Sequence, residues 1–130
     1  MTHPFSYRFS NRPTDHLPER TQSALSAPSD VRVVRTGSHV TLTLTGEIDV
    51  EAAGHLTAAS DEVLGGAPAE LVVDLSAATF LDSAGVGALV ALKNAATDAG
   101  VPSVRLRSGP PNVMRVLEMV GLDGLFDHVD

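Results

Sequence analysis

A strict alternation of apolar and threonine side chains is the clearest pattern in the first half of the chain. Residues 39–45 carry apolar side chains at every second position, with threonines between them: Val40, Leu42 and Leu44 against Thr41, Thr43 and Thr45. A valine-rich run at residues 31–36 precedes it, and Gly37 and Ser38 separate the two runs. Two strand-like runs around a short connection that contains glycine predict a β-hairpin with one buried face.

Three later segments repeat their apolar residues with the spacing of an α-helix. Residues 50–64 form an amphipathic pattern, which a Gly-Gly-Ala-Pro sequence stops. A second helix is predicted from about residue 84 to residue 99, and it ends at Gly100. A third helix opens within residues 108–112, where prolines are tolerated in the first turn, and Gly121 closes it.

Two short apolar runs lie between the predicted helices. The first predicts a buried strand at residues 70–75, closed by Asp74 and followed by a loop at residues 76–82. The second predicts a short strand at residues 103–107. An order in which strands and helices alternate after a hairpin is typical of an α/β fold with right-handed crossovers. We therefore expect one domain over residues 30–130, with a small mixed sheet of about four to five strands packed by helices.

The first part of the chain differs from the rest. Residues 1–29 hold four of the eight prolines, many serines, threonines and arginines, and no periodic pattern. Such a composition is typical of a segment that buries too little apolar surface to fold by itself. These residues are therefore predicted to form a flexible N-terminal arm.

The charge of the chain narrows the classes of partner. The net charge is −7, and residues 30–130 hold six basic against fourteen acidic side chains. Direct binding of nucleic acid is not expected, because no basic stripe is available for phosphates, whereas a basic protein partner suits this charge. The 130-residue chain has no cysteine, no metal-ligand spacing of histidines, no apolar stretch long enough to span a membrane and no secretory signal. We expect a cytoplasmic protein without a metal ion or a cofactor.

Candidate chemistry centres on the start of the second predicted helix. Asp82 and Ser83 are both good N-cap residues, because each side chain can accept a hydrogen bond from a free N–H of the first turn. Gly85 and Gly87 keep that part of the helix slim. The serine is thereby presented at the positive end of the helix dipole. On the residues alone, a purely structural N-cap role for Ser83 is an alternative to a functional one.

The sequence from Asp74 to Gly87 has the pattern D-L-x-x-x-x-F-x-D-S-x-G-V-G and leads into an apolar helix. This pattern resembles the phosphorylation site of the STAS domain family, and in particular that of bacterial anti-sigma factor antagonists. The matching positions are Asp74, Leu75, Phe80, Asp82, Ser83, Gly85, Val86 and Gly87. Residues 46–49, with the sequence G-E-I-D, resemble an element that these domains carry after a strand. The resemblance covers roughly residues 31–127 and agrees with a small sheet packed by helices.

The resemblance implies a phosphorylation switch at Ser83. The unphosphorylated protein would bind an anti-sigma factor that is also a serine kinase, and this binding would free a sigma factor. The kinase would phosphorylate Ser83 with ATP, and a serine phosphatase would reset the protein. The partner-binding surface that the motifs imply comprises Asp82, Ser83, Ala84, Gly85 and Val86, with Glu47 and Asp49 at its rim. Many relatives have serine or threonine at the position of Ala84.

Three other interpretations stay open. Asp49 is suited to cap the helix that follows it, so Glu47 and Asp49 have a structural interpretation beside the acidic rim. STAS domains also occur as ligand-sensing or scaffold modules, in which Ser83 would not be used. A serine hydrolase needs a nearby histidine and a Gly-x-Ser-x-Gly turn, but Leu81 stands where the first glycine is required. No nucleotide-binding or metal motif is present, so the chain is not expected to be an enzyme.

Overall fold

The computed structural model describes residues 6–8 and 30–129. Within them the chain forms six strands: β1 (Ser6–Arg8), β2 (Asp30–Thr36), β3 (His39–Ile48), β4 (Glu70–Leu81), β5 (Ser103–Arg107) and β6 (Asp127–Val129). The three α-helices are α1 (Val50–Leu64), α2 (Ser83–Asp98) and α3 (Pro111–Met119), and a single 3₁₀ turn, Leu122–Gly124, follows α3. The order of elements from β2 to α3 is the order that the sequence predicts.

The strands form one mixed sheet in which they lie in the order of the sequence, from β1 to β6. β1 and β2 are antiparallel, as are β2 and β3, whereas β3, β4, β5 and β6 run parallel to one another. The predicted hairpin and the predicted mixed α/β fold are therefore confirmed. The two strands at the edges, β1 and β6, are three residues long each and extend the four strands that the patterns showed.

The helices cover one face of this sheet. Because the parallel strands follow one another in order, right-handed crossovers bring all three helices to the same side. The side chains of that face are buried in every central strand, as in Val40, Leu42 and Leu44 of β3. The alternate residues Thr41, Thr43 and Thr45 are only half-buried, because none of the helices within residues 30–129 lies over the other face. The apolar alternation in the sequence thus indicates which face of the sheet packs in the core.

The prediction of a loop at residues 76–82 is wrong, because β4 continues through this segment to Leu81. Its pairing with β3 shifts register twice, and each shift leaves one extra residue on β4. Asp74 does not close the strand. Its carboxylate Oδ1 accepts a hydrogen bond of 2.9 Å from the backbone N–H of Ser76, where the first bulge begins. A bulge breaks the alternation of side chains between faces, so the strand lost its signature in the sequence.

Two ends of elements were also placed differently by the sequence. The resemblance placed residues 46–49 after a strand, but β3 passes through Gly46 with a φ of 84° and continues to Ile48. In the predicted arm, residues 6–8 pair with β2 as strand β1. The remaining residues of that arm lie outside the described residues, so its flexibility stays a prediction.

Candidate functional site

The two segments singled out in the sequence meet at one edge of the sheet. β3 and β4 are parallel, and Ile48 pairs with Leu81 at their carboxyl ends. Asp49 and Asp82 follow these residues directly, and the backbone N–H of Asp82 donates a hydrogen bond of 3.3 Å to the carbonyl oxygen of Ile48. The carboxyl ends of parallel strands are the usual place for binding sites in α/β folds. The G-E-I-D segment and the serine motif therefore form one site, which we call the carboxyl edge.

Both helices that begin at the carboxyl edge are capped by an aspartate. Asp49 Oδ1 accepts a hydrogen bond of 3.1 Å from the N–H of Ala52 at the start of α1. Asp82 Oδ1 accepts one of 3.0 Å from the N–H of Gly85 at the start of α2. Each bond satisfies a donor that the helix itself cannot pair. The structural interpretation of Asp49 as a cap is confirmed, and its place in an acidic partner-binding rim stays a prediction.

Ser83 is the first residue of α2 and not its cap. The capping bond comes from Asp82, and the side chain of Ser83 is exposed to solvent. The purely structural N-cap role that the sequence left open for Ser83 is therefore wrong. A serine in this position has its hydroxyl at the surface, close to the free N–H groups of the first turn and to the positive end of the helix dipole.

Gly85 allows α2 to begin this close to the sheet. It is buried, and a Cβ built on it would lie 2.6 Å from the carbonyl oxygen of Ile48 and 2.5 Å from Cδ1 of Leu81. Any side chain would push the start of the helix, and Ser83 with it, away from β3. Gly85 thus positions the serine. Of its neighbours in the predicted surface, Ala84 and Val86 are half-buried.

Charge at the carboxyl edge is negative. Glu47 is exposed, and Asp49 and Asp82 are half-buried with both carboxylates engaged in capping bonds. Glu47, Asp49 and Asp82 therefore place three acidic groups at the same edge of the sheet as the exposed serine. This distribution continues the acidic character of the whole chain and suits a partner with basic groups.

The sequence did not predict that two apolar side chains at the carboxyl edge are exposed. Phe80 is 47% exposed and is paired with Glu47 across β3 and β4, and Val50, the first residue of α1, is 70% exposed. Phe80 had a place in the motif, but the sequence assigned residues 76–82 to a loop, so its exposure on a strand was not predicted. Exposed large apolar side chains beside a polar rim are typical of a surface that binds another protein.

Metal ligands are not clustered at this edge. No group of three or more histidine, aspartate or glutamate side chains within residues 30–129 could hold a metal ion. His39 lies at the opposite edge, where its Nδ1 is 2.9 Å from Oε1 of Glu70. None of the helices in the described part of the chain is long and apolar enough to cross a membrane.

Comparison with protein families and curated sequences gives one match. Residues 31–127 match the family model described as "Mlab, STAS domain". Among curated proteins, no sequence matches this chain.

Solved structures with the same fold include three anti-sigma factor antagonists. One from Mycobacterium paratuberculosis is 28% identical with a TM-score of 0.66, and the match covers 75% of this chain and 82% of that one. A putative antagonist from Thermotoga maritima is 22% identical with a TM-score of 0.68, over 75% and 84% of the two chains. SpoIIAA in its unphosphorylated form is 22% identical with a TM-score of 0.66, over 77% and 88%. SpoIIAA from Bacillus in its phosphorylated form matches with 20% identity and a TM-score of 0.62, over 77% and 91%.

Proposed function

Because the chain belongs to the STAS domain family, as its match over residues 31–127 shows, we propose that it is an anti-sigma factor antagonist switched by phosphorylation of Ser83. Unphosphorylated, it binds an anti-sigma factor that is also a serine kinase, and a sigma factor is released. The observation that carries this proposal is the position of Ser83, exposed at the start of α2 while Asp82 provides the cap. The site therefore presents a hydroxyl that the fold does not use.

The phosphorylation step is an ordinary phosphoryl transfer. Oγ of Ser83 forms a bond to the γ-phosphorus of ATP, the bond from that phosphorus to the oxygen of ADP breaks, and a group on the kinase takes up the serine proton. The catalytic groups belong to the kinase, and this chain is the substrate. A serine phosphatase restores the hydroxyl by hydrolysis. SpoIIAA, which has the same fold, has been solved in both an unphosphorylated and a phosphorylated form.

A phosphate at this position changes the surface rather than the fold. It adds roughly 1.5 to 2 negative charges at a helix N-terminus, where the dipole and free N–H groups tolerate an anion. The capping bond, which the N–H of Gly85 donates to the carboxylate of Asp82, is already in place, so α2 does not need the phosphate. The added charge therefore acts mainly on whatever touches Ser83, and it opposes a partner that binds there with apolar contacts.

The partner surface combines an apolar part with an acidic rim. Phe80 and Val50 supply exposed apolar area, and the half-buried Ala84 and Val86 extend it beside Ser83. The rim is formed by three acidic residues, Glu47, Asp49 and Asp82. Such a surface suits a partner with an apolar patch between basic side chains, since charge complementarity steers association and apolar burial supplies affinity.

A STAS scaffold or ligand-sensing module that does not use Ser83 is the second candidate. One observation favours this candidate: the description of the matched family model names Mlab and not an anti-sigma factor antagonist. Mass spectrometry of the protein from its native cell separates the two. Phosphate on Ser83 supports the antagonist, whereas a protein that is never modified under any growth condition supports the scaffold.

The proposal is tested by comparing Ser83→Asp with Ser83→Ala. The aspartate should stabilise α2 by roughly 0.3–1 kcal/mol, because an anion is favourable at a helix N-terminus. The same charge should weaken binding of the anti-sigma factor kinase by about tenfold or more, since it must be desolvated in the interface. The alanine should keep the affinity and lose phosphate uptake.

Thermal unfolding and calorimetric binding are measured on the same samples. Ser76→Ala is the matched control for phosphate uptake, because Ser76 is also exposed and lies on β4. The proposal fails if Ser83→Asp and Ser83→Ala bind equally well, or if Ser83→Ala still takes up stoichiometric phosphate.

A further inference from the structure

The two helices that begin at the carboxyl edge each carry an exposed glycine as their fifth residue. These are Gly54 in α1 and Gly87 in α2. A Cβ built on either one meets nothing within 4 Å, and neither has a positive φ. Glycine is the least favourable residue inside a helix apart from proline, because it loses the most backbone freedom on folding. Each glycine therefore has a cost in helix stability, and no contact within the described residues requires it.

Other glycines of the described residues do have an internal reason. Gly85 and Gly109 are in close contact with backbone, and a Cβ on Gly109 would lie 2.5 Å from the carbonyl oxygen of Leu75. Positive φ angles occur at Gly37, Gly46, Gly100 and Gly121. Gly65, Gly66 and Gly124 share neither property, but they lie outside the α-helices, where glycine costs less. Gly54 and Gly87 lie inside α-helices and share neither property, so nothing in the described residues accounts for them.

The position of Gly87 points to the site. It lies four residues after Ser83, and residues with this spacing share one face of a helix, one turn apart. Gly54 has the same relation to Val50, which is exposed at the start of α1. The bond from Asp82 to Ile48 holds the beginnings of the two helices side by side. Gly54 and Gly87 therefore lie beside the proposed partner surface, one on each helix.

We propose that Gly54 and Gly87 are contact residues for the anti-sigma factor kinase, and that their missing side chains let the kinase approach both helix backbones closely. The proposal rests on the proposed function and adds to it. A phosphoryl group must come to about 3–3.5 Å from Oγ of Ser83 before transfer. The kinase must therefore contact the first turns of α2 closely. A side chain at residue 87 would stand in its way.

The test uses the full chain with single substitutions Gly54→Ala and Gly87→Ala. Each should raise the melting temperature by about 2–5 °C, because alanine is the better helix residue and has space. Each should weaken binding of the kinase by about tenfold and slow phosphate uptake on Ser83, because one methyl group prevents close approach. Gly124→Ala is the control, since it adds the same methyl group in open space in the 3₁₀ turn that precedes β6, at the opposite edge.

Each glycine is judged by its own variant. Unchanged affinity and phosphate uptake overturn the proposal for that glycine, and so does a lower melting temperature, which would reveal an internal reason for the missing side chain. Equal weakening by Gly124→Ala would also overturn it, because the effect would not belong to the site. If the wild-type chain does not bind the kinase at all, the proposed function fails and this inference fails with it. Wild-type binding together with unaffected glycine variants removes the inference alone.

Discussion

The carbonyl oxygen of Ile48 lies 2.6 Å from the point that a Cβ of Gly85 would occupy. The end of β3 and the first turn of α2 are therefore in backbone contact, with no side chain between them. This contact sets the height of Ser83 above the sheet and brings the caps of α1 and α2 together. Substitutions at the site are therefore of two kinds: those that disturb this contact and those that change only the surface.

Gly85→Ala should destabilise the domain by about 1–3 kcal/mol, because the added methyl group overlaps Ile48 and Leu81 and forces the helix outward. Urea unfolding of the purified chain measures the change. Gly87→Ala is the matched control, since it adds the same group to the same helix where nothing lies within 4 Å. Equal stability of the two variants would contradict the close packing described for Gly85.

Asp82→Ala should lower the free energy of unfolding by about 1 kcal/mol through loss of the bond to the N–H of Gly85. Asp82→Asn should restore most of that loss, because its amide oxygen can accept the same hydrogen bond. Thermal unfolding compares the three proteins. If the asparagine variant is as unstable as the alanine variant, charge and not the capping bond is what Asp82 contributes.

Phe80→Ser should leave the free energy of unfolding within about 0.5 kcal/mol of wild type, as is usual for exposed positions. Binding of the anti-sigma factor kinase should weaken by about tenfold or more, because aromatic side chains at the centre of an interface carry much of its energy. Met119→Ser is the control. Met119 is 79% exposed at the far end of α3, away from the carboxyl edge. Calorimetry that finds both variants equal would remove Phe80 from the interface.

Glu70 gives the stability of the domain an acid dependence. The hydrogen bond from His39 lowers its pKa below the usual value of 4.5, burial acts in the opposite direction, and the bond from Arg105 lowers it again. Because the folded state has the lower pKa, the stabilisation is present above 4.5 and is lost as the pH falls through the lowered pKa. Unfolding midpoints of wild type and Glu70→Gln should therefore converge in acid. A constant difference at every pH would exclude this role.

Local signals in the sequence were sufficient for much of the fold. The alternation of Val40, Leu42 and Leu44 with threonines specified a strand and its buried face, because side chains of a strand alternate between faces. Asp49 and Asp82 indicated where two helices start, because a capping hydrogen bond joins residues only three positions apart. The motif around Ser83 was placed correctly for the same reason, since the cap, the serine and the glycine are neighbours in the chain.

Features that depend on distant contacts were not predictable in this way. The end of β4 is a strand only because β3 lies beside it, and its two bulges remove the alternation that would have shown it. Phe80 lies in this part of β4, so its exposure on a strand was not predicted either. β6 is three residues long and is defined by its pairing with β5, so Asp127 and its neighbours had no periodic signal of their own.

The parallel pairing of β3 with β4 has a consequence for when this protein can act. Parallel strands require a crossover, and here the whole of α1 lies in the connection between Ile48 and Leu81. Contacts between segments so far apart in the chain raise the contact order, which slows folding. The surface around Ser83 exists only once this distant pairing has formed. A kinase that recognises this edge would distinguish a finished domain from a nascent or damaged chain, although both contain the same serine.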